Sequence, residues 1–206
     1  MTAAKSAEVR RILHRYLVEV VEEYDLCPWA KSSRLAGEVA IEIVWGTPSL
    51  DAWTFAARAA LDLPSTRVAM IVAPQLAISR DAFRAIRDAV AAAVPTAGVA
   101  HFHPDAALDL ATPSRLVPFL RRAPDPLLQL VPLALLDDVR GAPSIADLAQ
   151  QAQILTGQAA PPREDVATRI ARVNHATVAA NAEDITRVLD DIAADRAASY
   201  ARYGMQ

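Results

Sequence analysis

Residues 39 to 103 constrain the fold most strongly. Three short apolar runs, VAIEIVW (39–45), RVAMIVA (67–73) and GVAHFH (98–103), are separated by two stretches of helical spacing, 49–62 and 80–93. The first run alternates, with Val39, Ile41, Ile43 and Trp45 on one face and Glu42 on the other, as in a strand at an edge. The second is apolar on both faces, as a central strand should be. The order strand–helix–strand–helix–strand predicts an α/β fold with a small, mainly parallel sheet of three strands or slightly more. A split, ferredoxin-like antiparallel arrangement is the alternative.

Helices flank this unit. Val9, Ile12, Leu13, Tyr16, Leu17, Val20, Val21 and Tyr24 share one helical face, so a first helix is expected to end near Tyr24. Beyond Pro104 the pattern changes: residues 104–126 hold five prolines and no strand pattern, with a short helix expected near 114–121. Asp125 reads as an N-cap and Pro126 as the first residue of a helix running to about Val139 with a kink at Pro132. Ser144 reads as the cap of a helix over 145–155, and 156–165 as a loop. From Pro162 onward the spacing fits one long helix or two joined near Asn174. The chain therefore reads as a single domain, 1–206, whose α/β part (1–105) carries a mostly helical part (106–206).

With 206 residues and 53% apolar side chains, the chain can bury one good core. A net charge of −3 gives no electrostatic case for nucleic acid or an anionic membrane. The most apolar run, LLQLVPLALL (127–136), is shorter than the roughly 18 residues a membrane span needs. The amphipathic N-terminal segment lacks the apolar core of a signal peptide, and one cysteine forms no internal disulfide. A cytoplasmic protein is expected, and a homo-oligomer is compatible with the reading.

Three clusters carry candidate chemistry. In DLCPWAK, Pro28 is suited to open a helix, which would place Cys27 at its N-cap with Lys31 and Arg34 in the following turns. The helix dipole and both cations would favour thiolate, so a lowered Cys27 pKa is expected. The plainer reading is a small buried side chain at a helix junction, with Trp29 filling the core. In AHFHPD, His101 and His103 share a face at the C-terminal end of a strand, where open α/β sheets place ligands. They could supply metal ligands or a base, with Asp105 orienting one ring. The plainer reading has one histidine packed against a helix and the other bonded to the backbone. In RLVPFLRRAPDP, Arg115, Arg121 and Arg122 sit on a proline-stiffened segment suited to carboxylate or phosphate recognition, or else to a salt-bridged face. There is no glycine-rich phosphate loop, nucleophile elbow or CxxC pair.

Taken in order, LCPWAK, HFHPD and RRAPDPLLQL resemble motifs of the bacterial family called domain of unknown function 1415: Leu-Cys-Pro-Phe-Ala, Phe-His-Pro, and Asn-Arg-Ser/Ala-Pro-Tyr-Pro before a helix. The resemblance covers most of residues 8–180. It matches Cys27, Pro28, His103, Pro104, Arg122, Pro124 and Pro126, and Asn174 corresponds to a late asparagine. Gln129 stands where the family has a helix histidine; Pro132, Leu133, Ala171 and Val173 are further departures, and His101 is extra. The resemblance brings no activity with it.

The resulting expectation is a small-molecule enzyme of unassigned reaction. Cys27, His103 and Arg122 are its candidate catalytic residues, and Arg121, Gln129, Asn174 and Lys31 its candidate contacts to a small anionic substrate. Cys27, His101 and His103 form a tentative ligand set for one zinc or iron ion, and Cys27 alone could ligate haem. Gln129 and His103 are expected to face one cavity. The alternative is a non-enzymatic binding or accessory protein in which the Cys-Pro and His-Pro junctions are structural.

Overall fold

The computed structural model describes residues 2–136 and 166–205. A four-stranded mixed sheet in the order β1-β2-β4-β3 forms its centre, with helices on both faces. The strands are β1 (Val39–Ile43), β2 (Val68–Val72), β3 (Ala97–Phe102) and β4 (Leu127–Pro132). β1 and β2 are parallel, and β4 lies antiparallel between β2 and β3. The first three strands therefore point the same way and end on one edge of the sheet. The helices are α1 (Thr2–Tyr16), α2 (Ala30–Leu35), α3 (Leu50–Leu61), α4 (Arg80–Ala93), α5 (Pro113–Leu120) and α6 (Val166–Arg202).

The sheet and helices of residues 39–103 follow the sequence pattern closely. Ser49 and Ser79 cap α3 and α4 by accepting from the N–H groups of Ala52 and Ala82. The expected helix from Pro126 is overturned: Leu127–Pro132 is a central strand. Leu128 and Leu130 point into the core under α3 and α4, with Trp53, Ile71 and Phe83. Leu127 points into the opposite core with Met70, Val72, Leu116, Ile185 and Ile192, under α1, α5 and α6. A short run buried on both faces has no distinguishing period, so helix and strand look alike in sequence. Pro132 marks the strand's end, where a missing N–H costs little. Asp125 is correspondingly no N-cap. It is 2% exposed, and its carboxylate accepts from Arg196 Nε and the Tyr200 hydroxyl, each at 2.6 Å.

The first helix also differs from expectation. It continues beyond Tyr16 as a π-helical segment, Leu17–Glu22, so the backbone is wound more widely than the 3.6 spacing implies. Asp25, with φ 49°, breaks the winding in the left-handed region that aspartate tolerates. Arg10 of α1 donates to the Ile41 carbonyl at 2.6 Å and so covers a polar group of the edge strand β1. α6 spans 37 residues as two helical stretches joined across a kink at Asn181, not at Asn174, and Asn181 Nδ2 donates to the Thr177 carbonyl at 2.8 Å. α5 lies where the short helix was expected. The expected helix over 145–155 and loop over 156–165 lie outside the described residues. Among the described residues no helix is long and apolar enough to cross a membrane.

Candidate functional site

α4 presents Arg80, Arg84 and Arg87 at i, i+4 and i+7, which aligns them along one face. That face looks toward the end of β3. Arg121, in the turn after α5, approaches from the other side, because its carbonyl accepts from the His103 N–H at 3.0 Å. Between them lies a cleft of about 140 Å³ bounded by Arg80, Asp81, Arg84, His101, His103 and Arg121. Ala106, Val117 and Pro118 supply its apolar wall. The placement of both histidines at the C-terminal end of a strand, and of His103 at the cleft, agrees with the sequence reading.

The two histidines differ in what their nitrogens do. His103 is 3% exposed. Its Nδ1 accepts from the Asp105 N–H at 3.1 Å, so Nε2 carries the proton and donates to the Ile78 carbonyl at 3.0 Å. Both nitrogens are spent on backbone, and the ring clamps the α4 entry to the loop after β3. In this geometry neither nitrogen is free for the expected role of base or metal ligand. The Asp105 carboxylate stands 3.8 Å away and is 78% exposed, so its backbone, not its side chain, orients the ring. His101 packs edge-on against Phe83 at 6.2 Å between centroids, and its Nδ1 is buried without a partner among the described residues. Burial first, then Arg121, Arg87, Arg80 and Arg84, hold its pKa below the usual histidine value.

Arg121 is the cation with most to gain from a ligand. Burial and then Arg87 push its pKa down, with a small opposing effect of Tyr16. Among the described residues neither Arg80, Arg84 nor Arg121 has a carboxylate partner. Arg122, the expected anchor, is spent instead: its Nη2 donates to Asp190 of α6 at 2.9 Å.

The other expected site residues lie elsewhere. α2 begins at Ala30 with Trp29 as its N-cap, so Cys27 sits in the preceding turn rather than at a helix cap. Burial raises the thiol pKa; the Trp29 and Ala30 N–H groups oppose this, and Asp25 adds to it. Desolvation outweighs two backbone dipoles and so works against the expected thiolate. Arg34 donates from Nε and Nη2 to the Glu22 carboxylate, at 2.6 and 2.8 Å, and Lys31 is exposed away from the cleft. Trp29, 43% exposed, is not core filler. Asn174 is buried and donates to the Leu26 carbonyl at 2.9 Å, holding the Cys27 turn against α6 rather than a substrate. Gln129 pairs with Met70 and Ala100 and so shares their face, whereas His101 pairs with Leu128 on the other. It faces away from the cleft.

The metal and haem expectations lose their footing with these placements. Among the described residues no three His, Cys, Asp or Glu side chains come together to hold a metal. Haem ligation called for a thiolate at Cys27, which burial disfavours. The cleft arginines of α4 were missed in the sequence, although the spacing RDAFRAIR displays them. No family model, curated protein or solved structure matches this chain.

Proposed function

We propose that this chain binds a small anionic molecule, seating its charged group between Arg80, Arg84 and Arg121. The observation that carries the reading is Arg121, a guanidinium partly withdrawn from water that faces two further cations and is in ion-pair contact with no carboxylate among the described residues. Such a cation is costly to keep desolvated alone, and an anion relieves it. A cleft of about 140 Å³ is smaller than the roughly 300–1,000 Å³ that enclose a drug-sized ligand. It suits a head group whose remainder projects into solvent. The test is calorimetric titration with small carboxylates, phosphates and sulfates at low ionic strength. Binding by the intact protein, weakened at least about tenfold in Arg121→Ala and in Arg84→Ala, supports the reading. Equal binding by wild type and both variants would sink it.

An enzyme acting on the same anion is the second reading. His101 favours it, because an imidazole lining an anion site is placed to move a proton. Turnover whose kcat falls in His101→Gln by more than KM rises would carry that reading. Membership of the domain of unknown function 1415 family is part of the proposal, resting on the Cys-Pro, His-Pro and Arg-Ala-Pro junctions. So is a cytoplasmic location, which suits a chain with one unpaired thiol.

A further inference from the structure

We propose that the group held in the cleft is a dianionic tetrahedral oxyanion, a phosphoryl group, and that its binding is coupled to uptake of a proton from solvent by His101. This deepens the anion-binding reading and rests on it.

Charge sets the first part. Three guanidiniums, Arg80, Arg84 and Arg121, face the cleft against one carboxylate, Asp81, leaving two net positive charges. A monocarboxylate would leave one uncompensated; a dianion balances both. Direction sets the second part. Arg80 and Arg84 reach in from α4, while Arg121 comes from the turn after α5 on the facing wall. A carboxylate presents its oxygens in one plane and satisfies one fork. A tetrahedral group presents oxygens toward both walls at once.

His101 supplies the third part. His101 lines the cleft, and its buried Nδ1 has no partner among the described residues, which is costly for a polar atom. The charged and titratable groups that face it among the described residues are Arg80, Asp81, Arg84 and Arg87 on α4, Arg121 after α5, and His103 with exposed Asp105 on its own connection. His103 has both nitrogens engaged, so His101 is the free imidazole of the pair. Without an anion, burial and the four arginines hold it unprotonated. An oxyanion seated among those arginines cancels their field and offers an acceptor. His101 then takes a proton, and the charged ring faces the anion across the cleft.

Sulfate is the decisive probe, because it stays dianionic near neutral pH and cannot itself supply or take the proton. Isothermal titration of the full chain with sodium sulfate is carried out between pH 6 and 8 in two cationic buffers of different ionisation enthalpy. The expected result is net uptake approaching one proton per sulfate, with affinity falling by up to about tenfold per pH unit as pH rises. His101→Gln is expected to bind sulfate more weakly and without uptake. The wild-type measurement stands alone should that variant not fold. Sulfate binding without proton uptake would overturn the His101 coupling while leaving the anion site intact. Malonate binding more tightly than sulfate and phosphate would overturn the tetrahedral class. Absence of binding by sulfate, phosphate and malonate alike would overturn the anion-binding reading itself. Inorganic phosphate titrated against glycerol phosphate identifies the source: a preference for either upholds the phosphoryl class, and says whether the free ion or an ester is the occupant.

Discussion

The Tyr200 hydroxyl donates to Asp125 Oδ2 at 2.6 Å inside the protein, joining the last turns of α6 to the chain that enters β4. Arg196 completes the arrangement. Its Nε meets Asp125 Oδ1 at 2.6 Å, its Nη2 donates to the Pro74 carbonyl at 2.9 Å, and its guanidinium lies 4.4 Å over the Tyr200 ring. One buried carboxylate thus ties together the exits of β2 and α5 and the end of the long helix.

Removing one donor from this carboxylate gives a pH-dependent defect. Burial raises the Asp125 pKa, while Arg196 and Tyr200 oppose the rise. A carboxyl whose folded pKa exceeds its unfolded value costs stability, absent below the unfolded pKa and fully present above the folded one. Tyr200→Phe takes away a bond to the charged form and raises the folded pKa further. We expect a loss of about 1–3 kcal/mol. In urea titrations the deficit should be larger at pH 8 than at pH 4. An equal deficit at both would show that Asp125 does not change charge in that interval.

Asp195 behaves with the opposite sign. It accepts from Arg11 at 2.8 Å and Arg15 at 2.7 Å, and Arg11 in particular holds its pKa well below the usual carboxylate range. Its contribution is present above the unfolded pKa of about 3.9 and is lost as pH falls toward the folded value. These groups are partly exposed, so the worth of the cluster is modest. Asp195→Asn should lower stability by about 1 kcal/mol at neutral pH and low salt, and by less in molar salt. The difference from wild type should narrow below about pH 3. Acid unfolding followed by circular dichroism at two salt concentrations measures this.

His103→Ala should destabilise without mimicking loss of a ligand. It strands the Ile78 carbonyl and the Asp105 N–H, each costing about 1–3 kcal/mol if it finds no water. The same loss is expected in the presence and absence of chelator. Chelator sensitivity in wild type that disappears in His103→Ala would restore a metal to this position.

Cys27 should be a slow thiol. The inflection of iodoacetamide alkylation in the folded protein is expected above the free value of about 8.5, with ordinary reactivity after denaturation. Cys27→Ala should leave sulfate binding unchanged, since the thiol does not line the cleft. An inflection below neutral pH would mean that the backbone N–H groups and nearby cations outweigh burial after all.

Much of the framework was legible from local pattern alone. Helical spacing over 49–62 and 80–93 announces α3 and α4 because residues on one helical face lie close together in sequence. Alternation over 39–45 and an apolar run over 67–73 identify strands because side-chain direction there follows a short period. The histidines at the end of β3 were placed for the same reason. What could not be read is whatever depended on a partner distant in the chain. Leu127–Pro132 became a strand because β2 and β3 left a gap with unpaired backbone groups on both sides, and nothing within the run favours that over a helix. Register then settled the fate of Gln129: a pairing shifted by one residue would have turned it toward His101. Arg121 and Arg122 are adjacent and alike in chemistry, yet only tertiary packing put Asp190 opposite one and left the other facing two arginines. Cys27 shows the same division. Its neighbours in sequence argue for thiolate, and the burial imposed by the fold works against it. Periods, caps and turns are encoded locally; burial and pairing are properties of the whole molecule, and here they assign the candidate site.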